Sequence, residues 1–302
     1  MIAIVRPPRL KRGGTIGVAA ISGPVDPARL DKGIARLRGR GYGVVEAPNL
    51  RRVEGLFAGG DAERAEGYRA LLRDAAVDAI FFARGGYGAT RILSRLDADE
   101  IAAHPKIHLG GSDLTALFAL LGRRGIVTYY GPMVAAEIAD EEGLDWERVL
   151  AGEEPPAHEF GPEDVLAGGV GQGPLVGGCL SLLASLCGTP QAVRGEGNVL
   201  FWEDIGEEIY RLDRMLTQLE GSGTFDRIQA MVIGSVVSRE RAEHPQDVRE
   251  FLRDRFGGAR FPVVMGFPAG HLRRPRTIPL GITVRVELEK SPRLRFAERA
   301  VA

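Results

Sequence analysis

The stretch Lys106-Ile107-His108-Leu109-Gly110-Gly111-Ser112-Asp113-Leu114-Thr115-Ala116-Leu117-Phe118-Ala119-Leu120-Leu121 reads as a short apolar strand, a turn and an apolar helix. Ser112 sits at the turn. A serine at a sharp strand-to-helix corner exposes its hydroxyl amid backbone N–H groups, which is the geometry nucleophilic acyl chemistry needs. The usual elbow is Gly-x-Ser-x-Gly, and Gly110-Gly111-Ser112-Asp113-Leu114 lacks the second flanking glycine. Taken alone, the stretch favours a plainer reading, with Ser112 or Asp113 as the N-cap of a helix over 114–121.

Working outward, the flanking sequence repeats the same alternation. Strands are expected over 15–20, 43–47, 78–83 and 107–109, with helices over 26–39, 61–74 and 90–96 between them. The strands are nearly continuous apolar runs, as in a parallel sheet covered on both faces. Strand and helix in alternation predict an α/β domain, whose ligands gather at the carboxyl ends of the strands. Ser112 lies at such an end, as does the glycine-rich turn Arg84-Gly85-Gly86-Tyr87-Gly88. That turn fails as a dinucleotide fingerprint, because Arg91 stands where the third glycine belongs. It serves as a nest of backbone N–H groups for an oxyanion or carboxylate, or as a plain tight turn.

From 134 to 171 the chain turns acidic and rich in glycine and proline, with one short amphipathic piece at 146–150, and reads as a linker. Helices follow over 179–186, 208–219 and 247–256, with strands over 198–202, 230–234 and 262–266. The tail alternates apolar and polar residues over 283–289 and again over 293–296, the signature of an antiparallel hairpin. The expected organisation is an α/β domain over 1–135, a linker over 136–171 and a smaller β-rich α+β domain over 172–302.

Composition narrows the function. Lys plus Arg number 39 against 40 Asp plus Glu, a formal charge of −1, so net charge makes no case for a nucleic-acid polymer or an anionic membrane. Cys179 and Cys187 are the only cysteines and show no metal-ligand spacing, so neither a metal nor a cofactor is expected. The start, Met1-Ile2-Ala3-Ile4-Val5 before Arg6-Pro7-Pro8, is too short an apolar run for a signal peptide, and no window approaches the ~18 apolar residues of a membrane span. A reduced cytoplasmic protein is the expectation.

A serine nucleophile needs a base, usually histidine. His108 is four strand residues from Ser112, roughly 13 Å away at about 3.3 Å per residue. His104 and His244 precede prolines, and His158 lies in the linker. His271, in Gly266-Phe267-Pro268-Ala269-Gly270-His271, follows an apolar strand, although beside Arg273 and Arg274 it also fits a solvated loop. For the acid that orients the imidazole, Glu203 ends the apolar run Val199-Leu200-Phe201-Trp202, with Asp204, Glu207 and Glu208 as alternatives that could instead begin the next helix.

These residues fall into a known order. The chain resembles the LD-carboxypeptidase family, serine peptidases that include murein tetrapeptide carboxypeptidases and microcin C immunity proteins. The resemblance runs through Pro8-Arg9-Leu10-Lys11, Phe57-Ala58-Gly59, Arg84-Gly85-Gly86-Tyr87-Gly88, His104-Pro105-Lys106, Ser112-Asp113, Gly131-Pro132-Met133, Gly177-Gly178, Glu203-Asp204, Tyr210-Arg211-Leu212-Asp213-Arg214 and Gly270-His271. It implies a Rossmann-like N-terminal domain, a barrel-like β-rich C-terminal domain, a site between them and a homodimer. It further implies a triad of Ser112, Glu203 and His271, with an oxyanion hole formed by the Gly86 and Asp113 N–H groups. The implied reaction releases a terminal D-alanine from a cytoplasmic muropeptide. Gly111, Tyr130, Cys179 and Ile21 depart from the family pattern, at positions usually held by tyrosine, histidine, asparagine and proline. Two other readings stand beside this one. A microcin C immunity-like hydrolase would act on a peptidyl or aminoacyl nucleotide, with Trp146 stacking on the base unless it anchors a short helix. A non-catalytic protein would bind a small carboxylate in the glycine-rich turn.

Overall fold

The computed structural model describes residues 3–238 and 248–302. Met1, Ile2, His244 and Asp247, all used in the sequence reading, lie outside the described residues. The chain forms two compact units, one of Met1–Glu153, Arg273–Pro279 and Arg299–Ala302, the other of Glu154–Leu272 and Leu280–Glu298.

The first unit alternates β1 (Thr15–Ala19), α1 (Pro27–Gly39), β2 (Gly43–Glu46), α2 (Asp61–Arg73), β3 (Ala79–Phe82), α3 (Ala89–Ile92), α4 (Ala98–Ala103), β4 (Ile107–Gly110), α5 (Thr115–Gly122) and β5 (Thr128–Tyr130), then α6 (Glu137–Asp140) and α7 (Trp146–Leu150). Helix α1 starts where its side chains dictate. Asp26 accepts the Arg29 N–H at 2.9 Å, Pro27 follows it, and Leu30, Ile34 and Leu37 are buried along one stripe. The sheet runs in the order Ile278–Leu280, β5, β4, β3, β1, β2, with β1 to β5 paired in parallel. Strands β3 and β4 are buried at every residue, as their unbroken apolar runs require. The chain steps from β1 to β2 on one side, then crosses back to β3 on the other side of β1 and continues outward to β4 and β5. The loops after β1 and β3 therefore part at a topological switch point, the place where such sheets bind ligands.

One stretch differs from expectation here, and one choice left open is decided. The helix expected over 90–96 is α3 followed by a 3-10 turn, Leu93–Arg95, after which Asp97 caps α4. Trp146 is fully buried, 5.5 Å from the Tyr42 ring and edge-on to Phe81 at 5.2 Å. It anchors α7 in the core, the second of the two roles the sequence left open to it.

The second unit contains β6 (His158–Glu159), β7 (Val165–Ala167), β8 (Val170–Cys179), α8 (Leu180–Ser185), β9 (Val199–Glu207), α9 (Ile209–Gly221), β10 (Ala230–Ser238), α10 (Val248–Phe256) and β11 (Val263–Val264). After β12, the edge strand Ile278–Leu280 of the first sheet, come β13 (Thr283–Glu287) and β14 (Arg293–Phe296). Eight strands curl into an open half-barrel in the order β6, β14, β13, β8, β9, β10, β11, β7. Strands β13 and β14 pair antiparallel, as their period-two pattern predicts. Leu212, Leu216 and Leu219 of α9 pack with Trp202, Met231 and Ile233 of the sheet to form the core.

Gly171 reads as the end of the linker in the sequence but lies, with Gly173, inside β8. A Cβ on Gly171 would sit 2.0 Å from the Gln229 carbonyl oxygen, and one on Gly173 would sit 2.3 Å from that of Gly197. Backbone therefore packs directly on this strand, and glycine is what the approach demands. Among the described residues no helix is long and apolar enough to cross a membrane.

Candidate active site

The functional residues fall into two clusters, one in each unit. In the first unit, Ser112 follows β4 at the carboxyl end of the sheet, with φ at +58°. That left-handed conformation costs a non-glycine residue roughly 1–2 kcal/mol and persists only where its surroundings enforce it. The strand-turn-helix is thus a strained elbow, and a serine that served only as a helix N-cap would keep extended backbone. No side-chain cap bond accompanies the start of this turn.

The glycine-rich turn after β3 packs directly on the serine. A Cβ on Gly85 would lie 2.8 Å from the Ser112 Cβ, 3.0 Å from its Oγ and 3.2 Å from the Asp113 nitrogen. Only glycine permits that approach. Gly86, at φ +101°, turns the backbone beside it. The loop after β1 joins through the Gly23 N–H, which donates to the Gly85 carbonyl at 3.2 Å. Ser112, Asp113, Gly85 and Gly86 are thereby gathered at one end of one sheet.

The Asp113 side chain braces this assembly. It is buried, and its Oδ2 accepts the Ser22 hydroxyl at 2.6 Å and the Ala89 N–H at 2.8 Å, so it ties the loops after β1 and β3 to the elbow. Burial pushes its carboxyl above the ordinary aspartate range, and Oδ1 lies buried without a partner. Arg64 ties the same loops from beneath. Wholly buried, it donates to the carbonyls of Ile21, Gly59 (3.1 Å) and Gly88 (2.8 Å) and pairs with Asp61.

In the second unit, Glu203 of β9 is completely buried. Its Oε2 accepts the His271 Nδ1–H at 2.7 Å and the His271 backbone N–H at 3.1 Å. With Nδ1 donating to a carboxylate, the lone pair of the neutral ring is on Nε2, the tautomer a general base requires. A Cβ on Gly270, at φ +108°, would come 2.5 Å from Oε2, so glycine again opens the space for the contact.

The neighbouring acids are engaged elsewhere. Asp204 points to the opposite face of the strand, where Oδ2 accepts the Ser181 N–H and Oδ1 the Ile205 N–H, both at 2.8 Å. Burial pushes its carboxyl up, and burial with the two adjacent carboxylates pushes the Cys179 thiol well up. Cys179 Sγ contacts Ser181 Oγ at 3.2 Å and Asp204 Oδ2 at 3.6 Å. Glu207 pairs with Arg211 at 3.6 Å, and Glu208 precedes α9 at its N-cap position.

The other described histidines do different work. His108 is fully buried and bonded through Nε2 to the Tyr68 hydroxyl at 2.8 Å, and burial lowers its pKa to about 4. His104 bonds the Glu100 carbonyl, and His158 packs edge-on against Phe160 and Phe267. Arg273 and Arg274, the surroundings of the solvated-loop reading, both donate to the Glu141 carboxylate. Sequence reasoning missed the carboxylate role of Asp113, its partner Ser22, and the buried Arg64. A buried serine just after β1 is a weak signal, and the long-range bonds that give it meaning have no local trace.

The chain thus holds a strained serine elbow in a doubly wound unit and a carboxylate-held histidine in a β-rich unit. The LD-carboxypeptidase N-terminal domain model matches residues 16–131 and the LD-carboxypeptidase C-terminal domain model residues 172–286. The chain belongs to the LD-carboxypeptidase family, a family of peptidases. It is 41% identical over 305 residues to a Streptomyces coelicolor protein named as a carboxypeptidase, covering 96% of this chain and 95% of that one. The muramoyltetrapeptide carboxypeptidase of Oxalobacter formigenes superposes with a TM-score of 0.83 at 29% identity, over 93% of this chain and 97% of its own. MccF in complex with glutamyl sulfamoyl guanosine superposes with a TM-score of 0.89 at 23% identity, over 99% and 100% of the two chains, a likeness of fold.

Proposed function

We propose that the protein is a serine-type LD-carboxypeptidase that hydrolyses an L-D amide and releases the terminal D-alanine of a murein tetrapeptide. The observation that carries this reading is the His271 Nδ1–H and N–H held together on the buried Glu203 Oε2, an arrangement that a loop histidine does not need. In the proposed reaction Ser112 Oγ attacks the carbonyl carbon while His271 Nε2 takes the hydroxyl proton. The Gly86 and Asp113 N–H groups receive the developing oxyanion. The C–N bond then breaks, D-alanine leaves with the proton from His271, and an acyl ester remains on Ser112. Water, deprotonated by His271, hydrolyses that ester and regenerates the serine. Glu203 holds the imidazole in the productive tautomer and stabilises the imidazolium as it forms.

The relatives support the proposed substrate class, since one of them is named a muramoyltetrapeptide carboxypeptidase. The burial of Trp146 removes the residue that the sequence offered for stacking on a nucleobase. The same reading carries a cytoplasmic homodimer with an N-terminal nucleophile domain, a connecting stretch over 136–171 and a C-terminal domain bearing Glu203 and His271. Mass spectrometry after incubation with a tetrapeptide ending in D-alanine, and separately with an aminoacyl-adenylate analogue, tests the proposal. Release of D-alanine with the adenylate analogue left intact is the expected outcome. Cleavage of the adenylate analogue alone would assign the enzyme to nucleotide conjugates.

A further inference from the structure

Tyr130, the last residue of β5, is buried at 2% exposure, with its ring edge-on to Phe118 at 6.5 Å. Its hydroxyl oxygen accepts the backbone N–H of Ser112 at 2.8 Å. The carbonyl of the same 111–112 peptide, that of Gly111, accepts the Leu114 N–H at 3.2 Å, so the local turn holds one polar group of that peptide and Tyr130 holds the other. Tyr130 holds that peptide directly, at the one residue of the elbow whose φ is strained.

Gly111 supplies a second observation. Its φ of −154° is extended backbone that any residue adopts, so the chain path does not ask for glycine. The neighbours do. A Cβ there would lie 3.4 Å from both Cε1 and Cζ of Tyr130 and 3.3 Å from the Gly131 carbonyl oxygen. The phenol ring fills the space into which a side chain at 111 would grow. A third observation concerns the oxyanion hole. The Ser112 N–H is engaged by Tyr130 and so is not a donor to a substrate oxygen, whereas the Asp113 nitrogen lies beside the Gly85 turn.

We infer that Tyr130 is a positioning residue for the nucleophile. Its phenol oxygen fixes the Ser112 peptide in the left-handed region and keeps that N–H out of the oxyanion hole, and Gly111 is the clearance that lets the ring reach it. Tyr130 acts through Ser112. The catalytic part of this inference rests on Ser112 being the nucleophile, whereas the bracing part does not.

Tyr130→Phe keeps the ring and removes the acceptor. The amide of Ser112 should then exchange with solvent deuterium at least about 10-fold faster, with the amides of β4 and β5 unchanged. In turnover of the tetrapeptide, kcat should fall about 10- to 100-fold with KM within about 2-fold of wild type, because the N–H that fixes the reacting residue loses its partner. Loss of packing alone would lower kcat per total enzyme through the folded fraction and would speed exchange in β4 and β5 as well, so kcat is taken per folded enzyme and confinement of the faster exchange to Ser112 tells the two apart. Gly111→Leu drives a side chain into the space that the ring fills and should shift both readouts in the same direction. The double variant should be no worse than Tyr130→Phe alone. Unchanged Ser112 exchange in Tyr130→Phe, a wild-type kcat, or additive losses in the double variant would each overturn the inference. A wild-type protein that releases nothing would instead count against the proposed function, and the exchange experiment would still decide whether Tyr130 braces the turn.

Discussion

The two clusters are built by different physics. Around Ser112 the work is done by backbone: a φ of +58°, a neighbouring turn that leaves no room for a Cβ, and buried side chains that tie loops together. Around His271 it is done by charge and burial, with one carboxylate oxygen taking two N–H bonds from the residue it orients. A nucleophile must be placed, and a base must be placed and also given the right proton. The proposed nucleophile cluster should therefore be sensitive to volume, and the proposed base cluster to charge.

Substitutions that change one property at a time separate the two. Glu203→Gln preserves shape and removes the negative charge, and it should cost on the order of 10^3- to 10^4-fold in kcat by losing the tautomer and the imidazolium partner. A loss below about 10-fold in steady-state turnover would mean that Glu203 does not orient the base. Gly85→Ala changes no charge and adds one methyl group 2.8 Å from the Ser112 Cβ. It should cost about 10- to 100-fold by displacing the nucleophile, since misplacement by about 1 Å can cost that much. Wild-type kinetics in the Gly85→Ala enzyme would show that the turn can yield.

The smallest effect contrasts two histidines rather than two rates. His108 is buried neutral, with its pKa lowered to about 4 from 6.5. The unfolded chain gains a proton near the ordinary value while the folded one resists it, so stability is full above about pH 6.5 and is lost as pH falls toward 4. That difference corresponds to about 3 kcal/mol. In thermal unfolding between pH 7 and 4, His108→Phe should flatten part of the decline in Tm expected for wild type. A variant that declines as steeply as wild type would remove His108 from the account of acid sensitivity.

Much of this was legible in the chain, for reasons that differ by region. Strands β1, β3 and β4 are unbroken apolar runs between helix signals, so the doubly wound sheet and the place of Ser112 at its carboxyl end could be read directly. His271 and Glu203 could be singled out as residues just past apolar runs. The choice of Glu203 over Asp204 depends on which side of β9 each faces, which requires knowing that Ser181 lies across from Asp204. Strand β8 was hidden because its glycines answer to Gln229 and Gly197, residues more than twenty positions away in sequence. Tyr130 and Asp113 were similarly opaque. Their partners, Ser112 on the adjacent strand end and Ser22 after β1, meet them only once the sheet has formed.

The central claim is that Ser112 is the acyl-accepting nucleophile. Release of free D-alanine from an L-D tetrapeptide, followed by mass spectrometry for wild type and Ser112→Ala side by side, tests it most directly. The account predicts steady release by wild type and a fall of more than about 10^4-fold in the alanine variant, with the fold intact by thermal unfolding. Release by Ser112→Ala at the wild-type rate would contradict it.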